Sequence, residues 1–301
     1  MPKTSVVIAT YNNAEFLPEV LDSIFNQTYK DLEVIIVDDA STDNTPEVLK
    51  RYEGRIITER FPENRGSAAG WNRAIELARG EYIVLASGDD AWLPERLEEQ
   101  IRVLDTQPDI GLVYCRVVTI DEKGNPLRTP STKKYPSGKI FLDLFMDENF
   151  VSPTAIFRKP LVEKAGILDE SLKLCQDYDF AIRHARYTET YFLDKVLLKY
   201  RKHTGSVTTG KRHNAFVYQR QVIDKIWNMF KDDPESGLTA KLYRQRLIRQ
   251  ALKEGRYYLR HHEPPQARAV LKSALALSPF HPAVWFQYLR AILSTVWARK
   301  R

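Results

Sequence analysis

Short, nearly continuous apolar runs recur through the first ninety residues, with amphipathic stretches between them. Ser5-Val-Val-Ile-Ala-Thr10, Glu33-Val-Ile-Ile-Val-Asp38 and Tyr82-Ile-Val-Leu-Ala86 read as strands buried on both faces, as strands of a parallel sheet are. Between them, Pro18–Gln27 carries helical spacing through Val20, Leu21, Ile24 and Phe25. Pro46–Tyr52 reads as a helix with Thr45 as N-cap, Ile56–Phe61 as a third strand, and Ser67–Arg79 as a helix stopped by Gly80. Strand and helix alternating in this way confine the chain to a doubly wound, mostly parallel α/β sheet flanked by helices. Two of the runs lead into adjacent aspartates, Asp38-Asp39 and Asp89-Asp90. Unpaired charges are costly to bury, and the carboxyl ends of strands are where open α/β sheets hold ligands. Four acids at two such ends point to a polar ligand, a divalent cation, or both.

Beyond Tyr82 the pattern is mixed. Pro94–Thr106 reads as helix, Gly111–Ile120 as a long strand, and the polar stretch Lys123–Gly138 as a surface loop. Ile140–Asn149 and Phe180–Tyr187 look helical, Tyr191–Tyr200 looks like a strand, and everything from Asn214 reads as helix. Gln266–Leu277 followed by Ser-Pro-Phe-His-Pro resembles half of a tetratricopeptide unit; one unit cannot bury its face alone, so no repeat array is expected. The chain divides by charge as well: residues 1–210 hold 27 Lys/Arg against 33 Asp/Glu, and residues 211–301 hold 18 against 6. The basicity therefore belongs to a helical C-terminal extension over 211–301, and a main domain over 1–210 with net −6 is no nucleic-acid binder. Two cysteines, Cys115 and Cys175, suit a reducing compartment. With Met1-Pro-Lys-Thr running straight into a strand and no apolar stretch of bilayer length, a cytoplasmic protein without signal peptide is expected.

Each acidic strand end admits a structural and a chemical reading. Asp89-Asp90 can cap the next helix, or bind Mg²⁺ or Mn²⁺, which take one or two protein carboxylates plus substrate phosphates. Asp38-Asp39 with Ser41, Thr42 and Asp43 can form a hydrogen-bonded turn, or meet a base edge or a ribose hydroxyl. Tyr11, after Thr10 and before Asn12, can stack on a base or pack at a rim. Arg65, at the start of a helix with free N–H groups, can face an anion or sit in a surface ion pair. Asp177, in Cys175-Gln176-Asp177-Tyr-Asp179, reads as a helix cap on composition alone. His203 in Tyr200-Arg201-Lys-His203 is a candidate metal or phosphate ligand, or a structural histidine.

Taken together, Ser5-Val-Val-Ile-Ala-Thr-Tyr-Asn, Val37-Asp-Asp-Ala-Ser-Thr-Asp-Asn-Thr, Asn64-Arg-Gly, Gly88-Asp-Asp-Ala-Trp-Leu-Pro, Gln176-Asp-Tyr-Asp and Tyr200-Arg-Lys-His resemble family 2 glycosyltransferases in order and spacing, over residues 4 to 208. The resemblance implies a GT-A, Rossmann-like fold and an inverting transfer from a nucleotide-diphosphate sugar, UDP-linked in the first instance. It also implies a divalent cation, Mg²⁺ or Mn²⁺, and a hydroxyl acceptor on a glycan or lipid-linked carrier, in cell-envelope synthesis. Carried over by position, Thr10, Tyr11, Asn12, Asp38 and Asp39 surround the nucleoside, with Asp39 on the uracil imide and Arg65 near the base or diphosphate. Asp90 binds the metal with His203 near it, and Asp89 faces the ribose or sugar. Asp177 is the general base, while Gln176, Trp92 and Arg201 lie near acceptor or diphosphate. Two positions depart from the family pattern: Ser87 stands where the metal loop often has its first Asp, and Gln176 where a Glu usually precedes the base.

Inverting transfer needs one catalytic carboxylate, because a cation on the leaving diphosphate replaces an acid there. Asp90 with Asp177 fits that division. Two other classes remain open at this level: a nucleotidyltransferase acting on sugar phosphates, and a receiver-like phospho-acceptor domain suggested by Val34-Ile-Ile-Val-Asp-Asp. The aromatic, basic C-terminus, from Trp285 to Arg301, suits either peripheral contact with the inner face of a cell membrane or packing on neighbouring helices.

Overall fold

The computed structural model describes residues 2–147, 152–205 and 212–298. The chain forms two compact units, one of residues 1–144 and 148–210, the other of residues 145–147 and 211–301. Each has its own apolar core.

The first unit runs β1 (Thr4–Thr10), α1 (Leu17–Phe25), β2 (Leu32–Asp38), α2 (Thr45–Lys50), β3 (Ile57–Arg60), α3 (Ser67–Leu77), β4 (Tyr82–Ser87), β5 (Ala91–Trp92), α4 (Arg96–Thr106) and β6 (Ile110–Ile120). Then follow α5 (Phe141–Met146), whose last two residues count with the second unit, β7 (Ile156–Arg158), α6 (Lys159–Ala165), α7 (Gln176–Ala185) and β8 (Glu189–Arg201). The sheet order is β3-β2-β1-β4-β7-β6-β8-β5. The first four strands are mutually parallel, as the alternating pattern predicts. Beyond β4 the sheet is mixed: β7 is antiparallel to both β4 and β6, β6 and β8 are parallel, and β5 pairs antiparallel with the end of β8. Val6, Ile8, Val34, Ile36 and Val84 pack against Leu17, Val20, Leu21 and Ile24 of α1, all nearly or wholly excluded from solvent. On α3, Gly70 lets helix and strand meet closely, since a Cβ there would stand 2.8 Å from Ala9 Cβ.

Three short elements, β5, β7 and α6, are absent from the sequence reading, because two to seven residues show no period. Thr45, expected as the N-cap of α2, is instead its first helical residue, and Asn44 caps without a side-chain bond. The reason is tertiary. Thr45 Oγ1 accepts from the Asn13 N–H at 3.0 Å, and Asp43 Oδ1 takes the Thr45 N–H at 3.0 Å. The helix expected over Ile140–Asn149 is described as Phe141–Met146, and positions 148 and 149 lie outside the described residues.

The second unit is helical among its described residues: α8 (Arg212–Phe230), α9 (Ala240–Arg260), α10 (Pro264–Leu277) and α11 (Pro282–Ala298). Thr239 caps α9 through a bond from the Leu242 N–H to its hydroxyl, 3.2 Å. Ile248, Ala251, Leu271, Ala274 and Val284 form the core, and Gly255 admits Leu271, whose Cγ would lie 2.9 Å from an added Cβ. No described helix is long and apolar enough to cross a membrane.

Candidate active site

The register of the parallel strands assembles the site. β1 lies between β2 and β4, with Thr10 opposite Asp38 and Ala9 opposite Ser87. Both acid pairs therefore emerge at one edge of the sheet, on either side of the Thr10-Tyr11-Asn12-Asn13 loop. Gly88 is close-packed under that loop, where a Cβ would stand 2.6 Å from Asn13 Nδ2.

On the β2 side, Asp38 is buried and its Oδ1 accepts from the Ser41 N–H at 3.0 Å, closing the turn in which Ala40 adopts a positive φ of 60°. Its Oδ2 has no hydrogen-bond partner and lies 3.6 Å from Arg60 Nε. Asp39, also buried, has both carboxylate oxygens engaged: Oδ1 by the Arg65 N–H at 2.7 Å and Oδ2 by the Gly66 N–H at 2.8 Å. The Asn64-Arg65-Gly66 segment is thus pinned over the end of β2. Each oxygen keeps a lone pair for a further donor. Asn12 ties the first two loops together, its Oδ1 accepting from the Thr42 N–H at 2.7 Å and its N–H donating to Ser41 Oγ at 2.9 Å. Thr10 is buried and its hydroxyl accepts from Asn13, whereas Tyr11 leaves its ring half exposed. The Arg65 guanidinium lies over Phe61, 4.7 Å from the ring centre, and 3.6 Å from Glu170 Oε2.

On the β4 side, no helix begins until Arg96, so Asp89 and Asp90 cap nothing. Asp90 is buried; Oδ1 accepts from the Arg201 N–H at 2.8 Å and Oδ2 from Ser87 Oγ at 2.9 Å. Burial above all, and the neighbouring Asp89 charge, push the Asp90 carboxyl up to about 7, against the pull of those two bonds and of buried Arg96. Ser87, standing where an acid is common, therefore gives Asp90 a hydrogen bond in place of a third negative charge. Asp89 is partly exposed, and its Oδ2 lies 3.0 Å from His203 Nε2; the His203 ring packs on Phe16 with centroids 4.7 Å apart.

Three buried side chains, Arg201, Trp92 and Arg96, lie around this loop. Arg201, expected near acceptor or diphosphate, is buried and acts as a clamp. Its Nε donates to the Asp89 carbonyl at 3.0 Å, one terminal nitrogen to the carbonyls of Asp121 and Glu122 at 3.2 and 2.9 Å, and the other to Glu19. Trp92 is placed in the core on β5, with the Arg96 guanidinium 4.0 Å above its ring. Arg96 itself is fully buried and donates to Gln100 and the Pro153 carbonyl. Burial lowers it to about 10, which leaves a cation behind the acidic loop. Nothing in the local sequence marks the contacts these three make, because their partners lie on other elements.

The start of α7 reaches the β2 side. Cys175 precedes it in the left-handed region, at φ 63°, and Gln176 Nε2 donates to Ser67 Oγ at 3.0 Å, next to the Gly66 that holds Asp39. Asp177 is half-buried and its Oδ1 takes the Tyr178 N–H at 2.9 Å. Behind it, buried Asp179 and Arg183 pair at 2.9 Å, and Arg183 donates to the carbonyls of Ala165, Gly166 and Ile167. Asn72 on α3 fixes the connecting segment by bonding both the N–H and the carbonyl of Leu168. Among the described residues no group of three or more His, Cys, Asp or Glu gathers as a self-sufficient metal cage. The strand ends instead gather four carboxylates, a histidine and turn amides.

Comparison with known proteins bears on this arrangement. The Glycosyl transferase family 2 profile matches residues 5–166. An uncharacterized glycosyltransferase of Rickettsia typhi is 32% identical over 252 residues, which is 82% of this chain and 74% of the relative. One of Methanocaldococcus jannaschii is 38% identical over 206 residues, 66% of this chain and 71% of the relative. Among solved structures, S. aureus TarS superposes with a TM-score of 0.67 at 19% identity over 97% of this chain; the chain spans only 54% of that TarS chain. TarS 1–349 in complex with UDP-GlcNAc gives 0.63 at 18% identity, over 99% of this chain and 92% of its own. The Pyrobaculum calidifontis mannosyltransferase PcManGT, in complex with GDP-Man and Mn²⁺, gives 0.56 at 23%, over 98% of this chain and 81% of its own. These likenesses carry the GT-A-type fold, and the sequence matches carry the activity class. The chain belongs to glycosyl transferase family 2 and is a glycosyltransferase.

Proposed function

We propose that this glycosyltransferase moves a sugar from a UDP-sugar to a hydroxyl of a glycan or lipid-linked acceptor, with inversion at the anomeric carbon. The observation that carries the reading is the placement of both acid pairs and the Thr10–Asn13 loop at one edge of β1, β2 and β4. Asp39, with its spare lone pairs, suits the imide of a base stacked on Tyr11. Asp89 suits a sugar or ribose hydroxyl. The Arg65-Gly66 segment presents the start of α3 to a phosphate.

A divalent cation fits at Asp90. The carboxyl is buried, its ionised form is disfavoured by that burial and by Asp89 beside it, and a cation is the charge that relieves both; Asp89, its chain neighbour, holds His203 at 3.0 Å. Mg²⁺ or Mn²⁺ needs only one or two protein carboxylates when substrate phosphates complete its shell. When bound, the ion neutralises charge on the departing diphosphate. Asp177 takes the acceptor proton, from a helix start that the Gln176–Ser67 bond ties to the Asp39 loop. TarS with UDP-GlcNAc and PcManGT with GDP-Man and Mn²⁺ supply the precedent for donor and ion. A domain boundary near residue 210, cytoplasmic location, a cell-envelope product and peripheral membrane contact through the C-terminal helices belong to the same reading. A screen of nucleotide sugars for donor hydrolysis, with Mn²⁺, Mg²⁺ or chelator, tests it. Turnover of a UDP-sugar that chelator abolishes is expected, and metal-independent turnover or preference for another nucleotide removes that part of the proposal. Release of pyrophosphate would instead favour the nucleotidyltransferase alternative.

A further inference from the structure

We infer that the C-terminal unit docks on an anionic lipid bilayer through the turn between α10 and α11 and the outward face of α11. This makes the membrane contact of the proposed function specific, and it is independent of donor and base. Lys241, Arg244, Gln245, Ile248, Arg249 and Leu252 of α9 follow one helical stripe and form one wall of a cleft of about 450 Å³; Leu277, Ser278 and His281 form the other. The three cations are exposed and, among the described residues, none sits in an ion pair. The Nδ1 of His281 is buried without a hydrogen-bond partner. Lys241, Arg244 and Arg249 thus offer cationic donors with no protein carboxylate to receive them, the place a lipid phosphate would take.

The turn that supplies Ser278 and His281 to the cleft, and the outward face of α11 that follows it, are apolar. Phe280 stands at the tip of the turn, 93% exposed. Trp285 folds back on the same turn, its indole N–H donating to the Pro279 carbonyl at 2.6 Å. Phe286, Leu289 and Leu293 continue at helical spacing along α11, each more than half exposed, while Val284, Gln287 and Ala291 turn inward. A face with this much exposed aromatic and leucine surface marks a docking surface. Its flank decides what docks. Residues 211–301 carry net +12. A second copy would bring like charge to like charge. An anionic interface instead attracts the cations while Phe280, Phe286 and Leu289 enter the headgroup boundary.

The test is sedimentation of the full chain with phosphatidylcholine vesicles, with and without phosphatidylglycerol. The protein is expected to pellet only with phosphatidylglycerol present, and to be released by salt. Substituting Phe280→Ser, Phe286→Ser and Leu289→Ser together lowers partition by about tenfold or more. Arg244→Glu with Arg249→Glu lowers it by about twenty-fivefold or more, from about fivefold per cation. All five positions are exposed, and unchanged thermal unfolding shows that the variants fold. Equal pelleting with both vesicle types, unchanged partition in both variants, or a dimer in solution that the apolar variant dissolves overturns the inference. Donor hydrolysis is read on the same samples. Its absence with pelleting intact counts against the proposed transfer and leaves the docking surface standing.

Discussion

Asp177 and Asp90 divide the proposed reaction, and single substitutions separate them. Asp177→Asn is expected to leave nucleotide binding unchanged while transfer falls by about 10²–10⁴-fold, the usual contribution of a general base; titration of UDP against initial rates checks it, and loss of both together removes the base assignment. A different carboxylate carries stability. Glu33 is nearly buried, and burial by itself would raise its pKa, but the Ser5 hydroxyl and the Arg79 N–H and guanidinium overcome that and hold it below the ordinary value. A carboxyl lowered on folding stabilises above its unfolded pKa, and that contribution disappears as pH falls through the folded value. Glu33→Gln should therefore lower the thermal midpoint at pH 7, with the difference from the parent shrinking as pH drops below about 4. Asp38, Asp39, Asp89 and Asp90 were legible as a group because acids after apolar strands are conspicuous. The buried contacts of Arg201 and Arg96 were not, since a buried arginine is recognised by the carbonyls it meets and those come from distant residues.

At the scale of elements, the first four strands and α1, α2 and α3 were readable because length, period and punctuation agree there. β5, β7 and α6 were not, and the Thr45 cap went to a tertiary partner. The α3–β1 contact turns on one missing methyl: Gly70→Ala drives a Cβ to 2.8 Å from Ala9 Cβ. Overpacking of this kind costs about 1–3 kcal/mol, to be read as a lowered urea midpoint. Arg201→Ala removes four carbonyl or carboxylate partners at the end of β8. A loss of roughly 2–4 kcal/mol is expected from stranding them, together with weaker cation-dependent nucleotide binding, because the loop bearing Asp89 and Asp90 loses its clamp.

Across the whole molecule, ligand and stability are linked. UDP with Mn²⁺ should raise the thermal midpoint of the full chain, by about 2.7 kcal/mol of added stability at a hundredfold excess over Kd. Asp90→Asn should abolish the part that depends on the ion, as differential scanning with and without chelator will show. The charge division between residues 1–210 and 211–301 belongs to this scale too, since it separates an acidic sheet edge from a basic helical surface.

The sequence alone determined the alternating α/β class, the parallel half of the sheet, the family and the two acidic strand ends. These depend on local period and on short motifs, which a linear chain displays directly. Only the tertiary structure decided what each acid touches. It engaged Asp39 with the turn amides of Arg65 and Gly66, gave Asp90 a hydrogen bond from Ser87 and the N–H of Arg201, and set Trp92 in the core. It also brought the basic stripe of α9 to the aromatic turn before α11. The physical reason is common to all of these: a hydrogen bond or a cleft is a property of two segments at one place, and strand register and helix packing create that place only once the chain has closed on itself.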